Sequence, residues 1–419
     1  MTKVLALAGL MLIVIAGARR RPERLRLPAG LRLLFVTGSE FLLVGVLLGP
    51  LGLDFLDQQI LDTLRPLAAI AMGFVGLHYG LQLEARILRQ VPLFYNVAPL
   101  VQALGGAVAV GVPAGVLFHA AYGPGRESLV ASLVVAAAGA CSTVAPLDLL
   151  SEDRRWAASP LLMMLRHLAE MGELPALAIF GIAVCLRPEA SVIPGLDLAV
   201  PLQWFFLALL LGVVFGGLLE ILPRVGKGGT GRLVVGGLGA TLFFAGAARY
   251  LQLSPLLVSL FAGILVANVP GPIDRLRRLV ANTEQPLSLF LLLLAGASWR
   301  LDQAGPFGSL ALVALSLGMI ALRLLGKGAA GWLLARTTHA PRNPPAGFGF
   351  GLVAQGGISA ALALDYMDAG QSALTPVVVT AILLSLILTE MLAPWITLRV
   401  LAAAGEETGP AAGKQENSP

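Results

Sequence analysis

The sequence predicts an all-α membrane protein of thirteen transmembrane helices, N-terminus out and C-terminus in, built as inverted repeats with two broken crossing helices. Three observations predict it: an apolar composition, a succession of apolar segments of spanning length, and a loop charge that alternates along the chain. Of 419 residues, 57% are hydrophobic and 13% charged, and the mean hydropathy is +0.83. A soluble globular domain carries about 25% charged residues, so the chain lacks roughly half the polar surface it would need in water. That excludes a water-soluble enzyme, a disordered chain and a nucleic-acid-binding protein. Cys141 and Cys185 both lie in apolar runs, which excludes a disulfide scaffold and a four-cysteine metal site.

A spanning helix needs about 20 apolar residues. The thirteen predicted spans lie at 4–18, 33–51, 63–83, 91–119, 127–147, 157–186, 201–222, 231–250, 253–269, 285–299, 308–335, 346–365 and 374–402. Several are short or rich in Gly and Ala, and small residues let helices approach closely where lipid supplies no hydrophobic drive. With the N-terminus outside, 20 Lys and Arg fall on inner segments, 6 on outer segments and 3 within spans. Positive loops face the cytoplasm, and a bias that alternates over so many spans fixes the orientation. The first span ends in Ala16-Gly17-Ala18, which resembles a signal-peptide cleavage site. Its arginines follow the apolar run instead of preceding it, so a retained helix is expected. Residues 1–402 read as a single transmembrane domain in a cell (inner or plasma) membrane, and 403–419 as a disordered cytoplasmic tail.

Ionisable groups at membrane depth are costly and mark candidate function. Span 6 carries Arg166, His167, Glu170 and Glu173. Positions 166, 170 and 173 fall within about 60° of one another at 100° per residue. Arg166 and Glu170 can neutralise each other, which leaves Glu173 without a local partner. Span 11 carries Arg323 and Lys327, a like-charged pair that repels unless acids come from elsewhere. Lys327 precedes the inner Arg336 by nine residues, about 13 Å at 1.5 Å per residue, close to the midplane. A Glu173–Lys327 pair at that depth would satisfy both charges and act as a proton switch. The alternatives are a purely structural ion-pair network on span 6 and snorkelling of Lys327 to the inner surface.

Two spans are weak in backbone. Span 5 contains Gly139-Ala140-Cys141-Ser142-Thr143 and then Pro146; span 12 contains Gly347, Gly349 and Gly351 and then Gln355-Gly356-Gly357-Ile358-Ser359. Pro146 removes a helix hydrogen bond, and interrupted helices persist at membrane depth only where they line a cavity, their ends binding ions. Spans 5 and 12 run in opposite directions in this topology, the pattern of a transporter with inverted repeats. Glu40 on span 2 reads equally as a packing or a transport group. His78 and Glu390 are expected to be satisfied inside the bundle, and His119 and His339 to sit at the interface.

At these residues the chain resembles the monovalent cation:proton antiporter family, the sodium/proton and potassium/proton exchanger type. The matching segments are EFLLVGVLLGPLGL from Glu40, AMGFVGLHYGLQLE from Ala71, ACSTVAPLDLL from Ala140, LSPLLVSLFAGILVAN from Leu253, Lys327 followed by WLLAR, and GLVAQGGISAAL from Gly351. The resemblance implies a mobile ion-binding core (91–186 and 308–402), a dimerisation panel (4–83 and 231–300) and a linker helix (201–222), with the protein a homodimer. Matching GELPALAIF to the family's acid-bearing stretch implies that Glu173 binds cation and proton alternately. Gly172 then stands at the variable position before it, where relatives carry Asp, Asn or Gln. Glutamate replaces the family's aspartate, and Gly-Gly-Ile replaces Gly-Gly-Glu on span 12.

The expected function is therefore exchange of Na⁺ or K⁺ for protons by alternating access. Glu173, Ser142, Thr143 and Lys327 form the ion and proton site, with Glu170, Arg166, Gly172, Arg323, Glu40, Gly356 and Gly357 in support, and no cofactor. Small hard cations take oxygen ligands, which Ser142, Thr143 and nearby carbonyls supply. A transport-inactive membrane sensor or scaffold on the same fold is the alternative. An intramembrane metalloprotease is disfavoured, because four histidines and no His-Glu-x-x-His leave it without ligands.

Overall fold

The computed structural model describes residues 38–152, 156–186, 201–225, 230–269, 273–300, 309–337, 344–368 and 372–405. The predicted first span and the tail beyond 405 lie outside them. The described residues form helices joined by short connections: α1 Ser39–Leu48, α2 Gln58–Leu81, α3 Leu93–Tyr122, α4 Arg126–Ala140, α5 Ala145–Glu152, α6 Pro160–Cys185, α7 Pro201–Val225, α8 Thr230–Tyr250, α9 Pro255–Asn268, α10 Ile273–Ala297, α11 Ser309–Thr337, α12 Gly356–Asp368 and α13 Thr375–Ala403. A single turn, Ala85–Leu88, follows α2, and a 3₁₀ turn, Phe348–Leu352, precedes α12. Seven of the described stretches are long and apolar enough to cross a membrane, and three shorter apolar helices accompany them.

Local signals start the helices where they do. Asp57 accepts from Ile60 N at 2.7 Å, Ser159 from Leu162 N at 3.1 Å and Ser254 from Leu257 N at 3.2 Å, capping α2, α6 and α9. Pro160 and Pro255 follow two of these caps at the first helical position, where the missing N–H costs nothing. The outward faces stay apolar: Val108, Val112 and Val116, one turn apart on α3, are all exposed, as a lipid-facing stripe requires.

Small residues set the helix spacing. A β-carbon at Gly76 would stand 2.2 Å from Leu256 O and one at Gly80 2.3 Å from Leu260 O, so α2 lies directly on α9. The same closeness joins α1 to α10 (Gly45 against Leu293 O, 2.0 Å), α3 to α4 (Gly106 against Gly139 O, 2.4 Å) and α3 to α11 (Gly326 against Gly105 O, 2.3 Å). With no hydrophobic drive between helices in lipid, such approach is what dispersion contacts need.

Two segments are not helical. Between α4 and α5 residues 141–144 run as irregular chain, and between the 3₁₀ turn and α12 so do residues 353–355. Pro146 cannot continue α4 but is tolerated in the first turn of α5. The Gly-rich stretch before residue 353 holds only a 3₁₀ turn. The two segments touch: Thr143 N donates to Ala354 O at 3.3 Å and Ser142 Oγ to Leu352 O at 3.4 Å. Gly356 begins α12 at φ +73°, in the left-handed region, against the Thr143 side chain.

Candidate functional site

Interrupting a helix exposes carbonyls at one end and N–H groups at the other. The site is built from the groups that meet them. Arg323 on α11, 1% exposed, spends its whole guanidinium on carbonyls. Nε donates to Val353 O at 2.8 Å, one terminal nitrogen to Ala138 O and Gly139 O at 2.7 Å, and the other to Cys141 O and to Ala354 O at 3.1 Å. One side chain thus gathers the C-terminal ends of α4 and of the 3₁₀ segment, where a cation also suits the helix dipole.

Lys327, one turn further on and fully buried, donates to Ala140 O at 3.2 Å, to Cys141 O at 3.0 Å and to Ser142 Oγ. From the sequence, Arg323 and Lys327 are expected to need acids. The structure meets them with backbone oxygens instead. At the opposite pole Glu390 Oε1 accepts from Gly356 N at 2.8 Å, an acid on the N-terminus of α12.

Glu173 on α6 is 2% exposed, and its Oε2 has no hydrogen-bond partner among the described residues. The groups that act on it electrostatically include Lys327, Arg323, the Cys141 thiol and Glu284. Among the described residues no ion pair joins Glu173 to Lys327. The expected direct pair is therefore replaced by a looser arrangement, because the carbonyls of residues 140 and 141 and the Ser142 hydroxyl claim the ammonium first. Gly172 lies against Ser142, a β-carbon there standing 3.5 Å from Ser142 Oγ. The acid-bearing turn of α6 thus rests on the irregular segment after α4.

The rest of the span 6 stripe also differs in its partners. Arg166 pairs with Asp148 of α5 at 2.8 Å instead of with Glu170 one turn along its own helix. His167 contacts the carbonyl of Tyr95 at 3.3 Å. Glu170 acts electrostatically on His78, whose ring meets Gln82 Nε2 at 3.1 Å and Glu284 at 3.9 Å. Glu40 remains in the first turn of α1, and Gly357 lies against Ser288 of α10.

Two residues that sequence reasoning passed over stand at the site. Tyr79 on α2 is buried and acted on by Glu173, Glu284 and Glu170. Glu284 of α10, with 35% of its side chain exposed, acts on Glu173 and is acted on by Asp148. Glu284 sits in the polar run Ala281-Asn282-Thr283-Glu284 ahead of an apolar stretch, and only its position just inside the hydrophobic boundary could have singled it out. Among the described residues no three His, Cys, Asp or Glu side chains converge as a metal site.

The comparisons with known proteins agree with this architecture. No curated protein sequence matches. Among solved structures the chain is similar to the sodium proton antiporter MjNhaP1 from Methanocaldococcus jannaschii at pH 8, at 16% identity and TM-score 0.62, over 96% of this chain and 99% of that one. An electron-microscopy structure of the same antiporter aligns at 17% identity and TM-score 0.54, over 97% and 99%. At these identities the likeness is one of fold. The family described as "Sodium/hydrogen exchanger, transmembrane" matches residues 10–399. This all-helical, multi-pass membrane protein belongs to the sodium/hydrogen exchanger family.

Proposed function

We propose that the protein exchanges a monovalent cation, Na⁺ or K⁺, for protons by alternating access, with Glu173 as the carboxylate that both compete for. The observation that carries this reading is the buried Glu173 with an oxygen left open, beside two irregular segments already supplied with backbone and hydroxyl oxygens. Loss of the proton from Glu173 leaves an anion that a cation can neutralise. Ser142, Thr143 and neighbouring carbonyls would complete an oxygen shell. Return of the proton expels the cation, so one site carries both substrates at different times.

In this reading Arg323 and Lys327 are the scaffold of the crossing and Glu390 its counterpart at the N-terminus of α12. Gly172, Gly356 and Gly357 permit the close packing. Spans 5 and 12 are the broken helices of two inverted repeats, and α3 to α6 with α11 to α13 form the core that moves against a panel containing α1, α2 and α8 to α10. Glu170, Glu284 and Asp148 line the approach from the inner side, attracting cations toward Glu173. The homodimer and the cell-membrane location belong to the same proposal.

The test is proton-coupled Na⁺ and K⁺ flux in proteoliposomes. Glu173→Gln keeps the size and hydrogen-bonding shape but cannot ionise, and exchange is expected to fall to the level of empty liposomes in a protein that still elutes as a single species. Undiminished exchange in that variant would rule Glu173 out. No exchange by the wild type with either ion would favour a transport-inactive sensor on the same fold.

A further inference from the structure

The far end of the bundle, which the loop charges place outside, holds a second set of buried and half-buried charges that the ion site does not use. Asp365 and Asp368 lie three residues apart near the end of α12, hence on one helix face. Both reach helices of the other group. Asp365 Oδ2 accepts from Ser254 Oγ, the residue that caps α9. Asp368 Oδ2 accepts from Arg249, in the last turn of α8, at 2.5 Å, and its Oδ1 lies 3.6 Å from Arg65 Nε on α2. The α8–α9 connection between them is a tight turn with Gln252 at φ +58°. Beside this cluster lies a cavity of about 280 Å³ between α2 and α10 on one side and α12 and α13 on the other, lined by Leu61, Arg65, Leu364, Asp368 and Val379 among others.

The two ends of the molecule therefore differ. At the inner end Asp148 and Glu284 keep 45% and 35% of their side chains exposed. At the outer end a ready-made cavity stops at charges paired across the boundary between the two helix groups. Asp368 keeps only 14% of its side chain exposed, so the pair is screened less than a surface one, while its partners stay half-solvated. Pairs of this kind bias an equilibrium severalfold without freezing it.

We infer that Asp365 and Asp368 are positioning residues of the exchange cycle: acting through Ser254, Arg249 and Arg65, they clasp α12 to α2, α8 and α9 and hold the ion path shut at the outer end. The inference rests on the alternating-access reading, and the clasp must open once per cycle for Glu173 to face outward.

The experiment measures accessibility as well as flux. Val379→Cys, in a background with Cys141 and Cys185 replaced by Ala, places a thiol on the outer cavity, and a membrane-impermeant maleimide is added from either face. Asp368→Asn and Arg249→Gln are each expected to raise the labelling rate from the outer face severalfold. Asp368→Glu, which keeps the negative charge that Arg249 and Arg65 meet, should stay close to the parent value, which a loss of packing at this position would not do. Arg65→Gln reads the same contact if the Asp368 variant fails to fold. Labelling that is unchanged in the folded Asp368→Asn and Arg249→Gln variants, or that rises as much in Asp368→Glu as in Asp368→Asn, overturns the clasp. Because labelling needs no transport, a wild type that moves no ions would sink the exchange reading and leave this measurement standing.

Discussion

At the scale of single residues, Arg323 illustrates how a buried cation can be satisfied without an acid. Its five hydrogen bonds all end on main-chain oxygens at the end of α4 and in the irregular segments 141–144 and 353–355. Lysine is no substitute, because an ammonium has three donors on one atom where the guanidinium has five in a planar fork. Arg323→Lys should therefore strand at least two buried carbonyls at about 1–3 kcal/mol each, a loss of about 2–6 kcal/mol. The expected result is a marked drop in Tm in detergent, larger than that of Glu173→Gln, which removes a charge but leaves these carbonyls capped. An Arg323→Lys protein as stable as the wild type would mean that water reaches the crossing. Lys327 follows the same logic on a smaller scale: bonded to Ala140 O, Cys141 O and Ser142 Oγ, it fixes the hydroxyl that lies under Gly172.

At the scale of helices, α3 is closely approached on two sides. Gly105 meets Gly326 of α11 on one side and Gly106 meets Gly139 of α4 on the other. Gly326→Val would drive a side chain into Gly105 O, from which a β-carbon alone stands 2.3 Å. Overpacking of this kind costs about 1–3 kcal/mol. Because Lys327 is the next residue and Arg323 one turn back, the displacement should also lower exchange. Gly318→Ala on the same helix, where nothing lies within 4 Å, should leave both Tm and flux unchanged. Equal losses in the two variants would show that the α3–α11 approach does not decide. The helices themselves are largely legible in the sequence, because lipid imposes length and apolarity together. Residues 63–83, 157–186 and 374–402 are expected as spans, and α2, α6 and α13 run Gln58–Leu81, Pro160–Cys185 and Thr375–Ala403. The start of α10 at Ile273 lies about three turns ahead of the expected 285, at 3.6 residues per turn. It is hidden because those first turns are polar. The partners of Arg166 and Lys327 are hidden for a different reason. Sequence spacing gives depth and azimuth on one helix, but Asp148 belongs to a neighbour, and orphan carbonyls leave no trace in a list of side chains.

At the scale of the whole molecule, the arrangement of charge sets what an exchange cycle can carry. Arg323 and Lys327 are held by groups of α4, by the irregular segments and by Ser142, all of which belong to the proposed moving core. Neither cation needs to change its protonation for Glu173 to trade a proton for a cation. Gly172 supplies no second carboxylate beside it. In the proposed cycle the core then crosses with the same net charge in both loaded states, once with H⁺ and once with a monovalent cation on a single acid. Exchange should be electroneutral. With Na⁺ as the transported ion in proteoliposomes, an imposed membrane potential of either sign is expected to leave the initial rate unchanged. A charge moved through the full potential would feel about 2.3 kcal/mol per 100 mV, which is far too large to miss in the rate. A rate that follows the potential would mean that a second group releases its proton during the cycle, and Lys327 would be the first to examine. Gly172→Asp offers the converse: a second acid against Ser142 should make the rate voltage-dependent if it titrates with transport, and should only slow the rate if it does not.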